Sequence, residues 1–546
     1  MKTGTALAKI LKLEGVEFLS CFPNNPLVDP VAEEGIRPIL ARTERVVVNI
    51  ADGFSRVTNG QRIGVCAMQF QAGIENAFGG VAQAYGDSVP ILVLPGHAGR
   101  KHLGISPDFD AVRNLAGITK WAASINLAAR APELMRRAFT QLRSGRPGPV
   151  LLEVPHDVAQ EDFPESELRY SPPKAMKTAG DPQDIREAVR MLLAAKRPLL
   201  WAGQGVLYAR AWDELREFAE LLQLPVMTTL GGKSAFPENH PLSLGAGGNS
   251  TTKAVDHFLR EADLIFAIGS SLRVWFMGPP IPDGKVIIQC TLDERDINKD
   301  YAVNHAVMGD AALVLRQLIQ EAKSQAGPEG RKGSSSVAEE VRGIKKVWLE
   351  EWMPKLRSDE VPINPFRVVW ELMQSLDPAQ TIITHDSGNT RDQLAPFYEA
   401  TTPRGYLGWG HSSQLGYSLG LALGAKLAAP EKLVVNVLGD AGFGMCGMDF
   451  ETAVREKIPI LTVLMNNSEM GGYEKHIPFA AEHYRLKYIT GDYTKIAEGL
   501  GGYAEKVEHP ARIAGALKRA KKIVEGGKPA LLEIITRAER EIPFYW

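Results

Sequence analysis

The carboxylate of Asp440 and the amide of Asn467 each follow an apolar, strand-like run, and one helical stretch separates them. The segment KLVVNVLGDAGFGMCGMDFETAVREKIPILTVLMNN reads as strand, loop, helix, strand, loop. Two parallel neighbouring strands joined by a single helix bring both strand ends to one sheet edge, where open α/β sheets bind ligands. A carboxylate and an amide oxygen at such an edge are hard ligands suited to Mg²⁺, which also takes phosphate oxygens and water. Gly439 precedes the acid, and the small residues Ala441 and Gly442 after it let backbone amides approach a diphosphate. Gly-Asp alone is a common strand-ending turn and Asn-Asn a common loop; the pair in this order carries the reading. A second acid, Glu44, precedes the helical run ERVVVNIADGFSR, where taken alone it would simply complement a helix dipole.

These groups need rigid elements behind them. Apolar runs of strand length alternate with helical segments along the whole chain: VEFLSCF, RIGVCAMQ, PILVLPG and GPVLLEVP early, RPLLWAG, LPVMTT, LIFAIGS and KVIIQCT in the middle, TIITHDS, KLVVNVLGDA, PILTVLMNN and PALLEII late. They are β-branched without clean alternation, as expected for strands of parallel sheets buried on both faces. Polar stretches at 162–184 and 323–345 interrupt the rhythm. The expectation is an α/β protein of three doubly wound parallel-sheet domains, spanning 1–165, 185–322 and 360–546.

The bulk numbers agree with an ordinary globular chain. Among 546 residues, 45% are hydrophobic, and 62 basic against 64 acidic residues give a net charge of -2. That balance offers nucleic acid no electrostatic attraction. The four cysteines are scattered without a CxxC pair, so reduced thiols are expected rather than a zinc site or disulfide framework. Lys9, Lys12 and Glu14 interrupt the first apolar stretch, which reads as an amphipathic helix and not a signal peptide. No run approaches a membrane span. A cytoplasmic location is the default expectation.

Three stretches, in order, carry a resemblance to the thiamine-diphosphate-dependent enzymes, and within them to the acetolactate-synthase-like group. Gly439-Asp440-Ala441 with Asn466-Asn467 resembles the family's diphosphate–magnesium motif, with Ala441 where the family usually has Gly. Glu44 followed by ADGFSR resembles the cofactor-activating glutamate and its helix. GWGHSSQLGYSLG, with Gly408, Gly410 and Gly416 around Leu415, resembles the segment whose bulky residue props thiamine into a folded conformation. WAGQGV, LGGKSAFPENHPLSLG and LIFAIGSSLR resemble the central domain. The resemblance covers nearly the whole chain, in the order pyrimidine-binding, central, diphosphate-binding.

The resemblance implies roles for single residues. Asp440, Asn467 and the backbone carbonyl of Glu469 would bind Mg²⁺; Leu415 would be the prop, and the Ser413 carbonyl would receive the pyrimidine amino group. Gly388, Asn389, Gly439, Ala441, Gly442 and Met470 would complete the cofactor's surroundings. Glu44, facing the pyrimidine, would help thiamine C2 lose a proton, after which the cofactor acts as electron sink. In the family this glutamate comes from the opposite subunit, which implies a homodimer or homotetramer with shared sites.

For the substrate pocket, position suggests Gln69, Phe70, Gln71, His97, His411, Tyr473, Glu474 and His476. Acetolactate synthases tend to carry Ser-Gly-Pro-Gly where this chain has Phe70-Gln71-Ala72-Gly73, and Gln at the place of His97. His97 is the expected proton shuttle and Gln71 its polar companion. The favoured reading is a lyase or transferase working on a 2-oxo acid or aldehyde by decarboxylation or carboligation. An acyl-CoA lyase or decarboxylase is the alternative, disfavoured by the short stretch after the last strand. A nicotinamide or flavin oxidoreductase would need a GxGxxG that WAGQGV only partly supplies. Because some relatives hold flavin in the central domain, FAD stays open. A non-catalytic cofactor-holding protein is the remaining class, and the retention of Glu44, Asp440 and Asn467 argues against it.

Overall fold

The computed structural model describes residues 1–274, 278–331 and 335–545. Three sheets of six strands each form its frame, and every pairing in them is parallel. The first contains β1 (Phe18–Cys21), β2 (Arg37–Leu40), β3 (Gly64–Met68), β4 (Ile91–His97), β5 (Trp121–Ser124) and β6 (Val150–Pro155), in the order β2-β1-β3-β4-β6-β5. The second contains β7 (Pro198–Ala202), β8 (Val226–Thr229), β9 (Ser243–Gly247), β10 (Leu264–Ile268), β11 (Val286–Thr291) and β12 (His305–Met308), in the order β12-β11-β10-β7-β8-β9. The third contains β13 (Thr381–His385), β14 (Tyr406–Leu407), β15 (Leu433–Gly439), β16 (Leu461–Asn466), β17 (Tyr503–Val507) and β18 (Ala530–Ile535), in the order β14-β13-β15-β16-β18-β17.

The outer sheets share one strand order, while the middle sheet follows the doubly wound order of dinucleotide-binding folds. The shared rhythm of the two outer units in the sequence is thus a shared topology. Strands β3, β4 and β6 are buried along their full length, because helices cover both faces. The α/β class and the three-sheet plan are as the sequence implies. The second polar stretch is shorter than expected as a linker. Residues 323–326 of it end the helix Ala311–Ala326, residues 332–334 lie outside the described part, and residues 335–345 belong to the helix Ser335–Leu356. The four cysteines are free and buried. Among the described residues, no helix is long and apolar enough to cross a membrane.

Two helices join the outer domains. Helix α1 (Glu44–Val57) starts after Thr43, whose side chain accepts from the Val46 amide, and it packs along α3 (Tyr417–Ala428) as well as α2 (Ala72–Gly86). Val46, Val47, Val48 and Ile50 are fully buried, so tertiary packing overrides the modest helix propensity of a β-branched run. Gly53 is required by the contact: a Cβ there would lie 2.2 Å from the Leu421 carbonyl oxygen. The approach is close along the contact, where Asn49 faces Gly420 and Ile50 faces Gly424.

Candidate active site

Strands β15 and β16 are adjacent, with Gly439 in register with Met465, so Asp440 and Asn467 emerge at the same sheet edge. Asp440 begins α4 (Asp440–Cys446) and is 3% exposed. Its Oδ1 accepts from the Ala441 amide at 2.9 Å, while Oδ2 is buried without a hydrogen-bond partner. Burial pushes its carboxyl up to about 6, with the nearby Glu469 charge adding to the effect. A buried carboxylate oxygen with no donor is what a bound cation would satisfy.

The two consecutive asparagines part company. Asn466 is locked into the fold: its Nδ2 donates to Glu533 at 2.8 Å and its Oδ1 accepts from the Ser468 amide. Asn467 is half-buried at the edge, its Oδ1 accepting from the Glu469 amide at 3.1 Å. The Glu469 side chain turns to Lys487, 3.1 Å away. Flanking bonds from Met470 N to Lys487 O and from Ile489 N to Ser468 O close the loop. They leave the Glu469 carbonyl without a protein donor among the described residues. One carboxylate, one amide oxygen and one backbone carbonyl form a donor set suited to Mg²⁺.

Asp386, which sequence reasoning did not single out, ties the rest of this edge together. Its carboxylate accepts from Ser387 N, Gly416 N, Ser418 N and Ser418 Oγ at 2.7–3.0 Å. This fixes the start of α3 to the end of β13, beside Gly442. Gly416 has φ +80°, a left-handed turn that aims the chain into α3 just after Leu415. Leu415 is half-buried and belongs to none of the hydrophobic clusters of the described residues. A leucine standing apart from every core is free to pack on a ligand. Ser413 is exposed two residues before it. Gly388 turns the chain into Asn389, whose amide lies against Gly471, one residue after the half-buried Met470.

A second missed group holds this segment from the other domain. Arg56 is fully buried and donates to Asp52, to Asp87 and to the Gly408 carbonyl, at 2.6, 2.8 and 2.9 Å. Asp87 in turn accepts from the amides of Gly410 and His411, at 3.0 and 2.8 Å. Asp52 and Arg56 belong to the ADGFSR run, where two charges inside a helix with Val46–Val48 and Ile50 signal a buried pair.

On the first sheet's edge, Glu44 is 6% exposed and accepts from Asn76 Nδ2 at 3.3 Å. Gln69, Phe70 and Gln71 follow β3, and His97 closes β4 beside them, its ring 6.5 Å from that of Phe70. His97 is buried, with Gly99 N and O both 3.2 Å from Nδ1. When the Gly99 amide donates to Nδ1, the ring proton sits on Nε2. His411 stands elsewhere. It lines a cavity of about 630 Å³ between the central domain and residues 85–88 and 146–148 of the first, with Arg273 2.7 Å from its ring. Burial and that guanidinium push its pKa down. Tyr473 and His476 are exposed on the loop after the metal motif, and Glu474 pairs with Arg540 near the C-terminus.

A sheet-edge donor set of this kind, with a small-residue turn beside it, is an arrangement that would suit a cation and a diphosphate group. The chain matches family models described as thiamine pyrophosphate enzyme, N-terminal TPP binding domain over residues 1–116, central domain over 185–318, and C-terminal TPP binding domain over 386–534. It belongs to the thiamine-diphosphate-dependent enzymes, in their acetolactate-synthase-like group. It is 31% identical to a probable acetolactate synthase large subunit of Methanococcus aeolicus, over 98% of this chain and 92% of that protein. The corresponding protein of Methanocaldococcus jannaschii is also 31% identical, over 100% and 93%. A glyoxylate carboligase of Escherichia coli O157:H7 is 29% identical, over 98% and 93%.

Proposed function

We propose that the enzyme decarboxylates a 2-oxo acid and joins the remaining fragment to a second carbonyl compound, with thiamine diphosphate and Mg²⁺. The observation that carries the reading is the edge that bears Asp440, Asn467 and Glu469, where Asp440 Oδ2 and the Glu469 carbonyl meet no protein donor among the described residues and Asn467 Oδ1 meets only the Glu469 amide. Asp440, Asn467 and the Glu469 carbonyl would hold the metal, and Gly439, Ala441 and Gly442 would admit the diphosphate. Leu415 would support the thiamine, Ser413 O, Gly388, Asn389 and Met470 would surround it, and Glu44 would share a proton with its pyrimidine. The bound cofactor supplies an electron sink for the carbon next to the carbonyl. His97 would move a proton at the substrate oxygen and Gln71 would orient that substrate, with Gln69, Phe70, Tyr473, Glu474 and His476 around it.

The working unit in this reading is a cytoplasmic homodimer or a tetramer of dimers' pairs, in which Glu44 of one chain serves the cofactor held by the other. Phe78 on α2, Met445 on α4 and Met448 just after it are exposed apolar side chains near the site, the kind of surface a subunit contact covers. Titration calorimetry with thiamine diphosphate and Mg²⁺, followed by a screen of 2-oxo acids and aldehydes for CO₂ and carbonyl products, tests the reading. Failure to bind the cofactor removes it. Binding without turnover on any 2-oxo acid leaves the non-catalytic class, and turnover only with acyl-CoA selects the CoA alternative.

One observation favours a second ligand. The cavity of about 630 Å³ lies at the carboxyl ends of β7, β10 and β11, beside the strand-order switch of a dinucleotide-type sheet. Gly205, Gly269 and Ser270 line it together with Arg146, Asp293 and Asp296. A nucleotide, FAD included, is the ligand this cavity suits, and a yellow purified protein would identify it.

A further inference from the structure

Gln71 occupies a backbone conformation that its side chain disfavours. It caps the start of α2 with φ +51° and ψ −116°, in the region where glycine is the usual residue. This chain carries a side chain where the backbone asks for none. Strained non-glycine residues persist where the surroundings over-determine them, and they cluster at ligand sites.

The carboxamide of Gln71 is constrained as well. Its Nε2 donates to Asp108 Oδ1 at 2.8 Å, within the loop that follows β4. An ionised carboxylate only accepts, so the amide must turn its NH₂ toward Asp108 and its carbonyl oxygen away. Among the described residues no protein group donates to that oxygen. Helix α2, which Gln71 opens, also carries Asn76, the residue that donates to Glu44. Gln71 and the glutamate thus share one rigid support.

We infer that Asp108 is a positioning residue which, by orienting Gln71, makes this wall of the substrate pocket a hydrogen-bond acceptor and selects a hydroxylated aldehyde over a second 2-oxo acid as the acceptor substrate. The inference rests on the carboligase reading above. A fixed carbonyl oxygen beside a carboxylate welcomes a hydroxyl proton and opposes carboxylate oxygens, through unpaired acceptors and like charge. A glutamine released from Asp108 turns over and donates, and a glycine offers neither group.

The test compares glycolaldehyde and pyruvate as acceptors, with pyruvate as donor, in the holoenzyme. Asp108→Asn is expected to lower the kcat/KM preference for glycolaldehyde about tenfold, mainly through KM, with unchanged thiamine diphosphate affinity. Asp108→Glu, which restores an acceptor-only partner, is expected to recover most of the preference. Gln71→Gly is expected to lose the preference while raising Tm, because the strain goes with the side chain. A preference within twofold of wild type in Asp108→Asn, or no rise in Tm for Gln71→Gly, overturns the inference. Wild-type holoenzyme that binds cofactor but consumes neither acceptor overturns the carboligase reading instead. A crystal structure of that holoenzyme then decides the Gln71 orientation: an amide facing Asp108 supports the positioning role, and one turned away ends it.

Discussion

The guanidinium of Arg56, on the helix that Glu44 begins, donates to the Gly408 carbonyl 2.9 Å away, at the head of the segment leading to Leu415. The same group holds Asp52 and Asp87, and all three charges are buried. Arg56 thereby couples the first domain to the segment of the third that leads to Leu415. Lysine has no planar fork and cannot reach all three acceptors at once. Arg56→Lys should destabilise the chain by about 3 kcal/mol, in the range for a broken buried pair. It should also weaken thiamine diphosphate binding. Denaturation midpoints and calorimetry check both, and a variant with native cofactor affinity would disprove the coupling.

If the sites are shared between subunits, as proposed, they make a sharper prediction than loss of activity. Glu44→Gln should keep cofactor binding and lose most turnover, while Asp440→Ala should lose Mg²⁺-dependent binding. In a dimer with sites between chains, an equal mixture of the two variants yields mixed dimers with one intact site each. Co-expression should then recover about a quarter of wild-type activity. Sites built within single chains would recover none.

Leu415 packs in no hydrophobic cluster of the described residues, so its removal should spare the fold. If it supports the thiamine, Leu415→Ala forfeits apolar contact of about 1–2 kcal/mol, or roughly tenfold in cofactor affinity. Thermal stability of the cofactor-free protein should stay where it was. A large drop in Tm without cofactor would mean that Leu415 is an ordinary core residue.

Glu153 lies inside β6, 2% exposed, and burial pushes its carboxyl up to about 7, with the Asp110 charge adding to the effect. The unfolded chain ionises this group in the usual carboxylate range, so between there and about pH 7 the folded state binds the extra proton. Stability therefore falls as pH rises through that window, and the penalty is complete above it, about 3 kcal/mol. Glu153→Gln should match wild type at pH 4 and exceed it at pH 8. Urea midpoints at the two pH values decide, and a difference that does not grow with pH refutes the assignment.

Strand-forming runs and their punctuation determined the α/β class, the three sheets and the strand ends that carry Asp440 and Asn467. Those features depend on local periodicity and on the short βαβ connection, which a linear sequence records. The resemblance singled out Asn467, and tertiary structure supplies the physical reason why Asn466 is spent on the fold: its partner is Glu533, far along the chain. Asp386 and Arg56 were invisible as organisers for the same reason: their partners at Gly416, Ser418, Asp87 and Gly408 come from distant segments. His411 reads as a neighbour of Leu415 in sequence, yet the turn between them sends its ring to the central cavity. The sequence by itself specified the reactive groups and the elements that bear them. Only the folded chain decided which groups are satisfied by protein and which remain to meet a ligand, since burial and long-range hydrogen bonds are properties of packing.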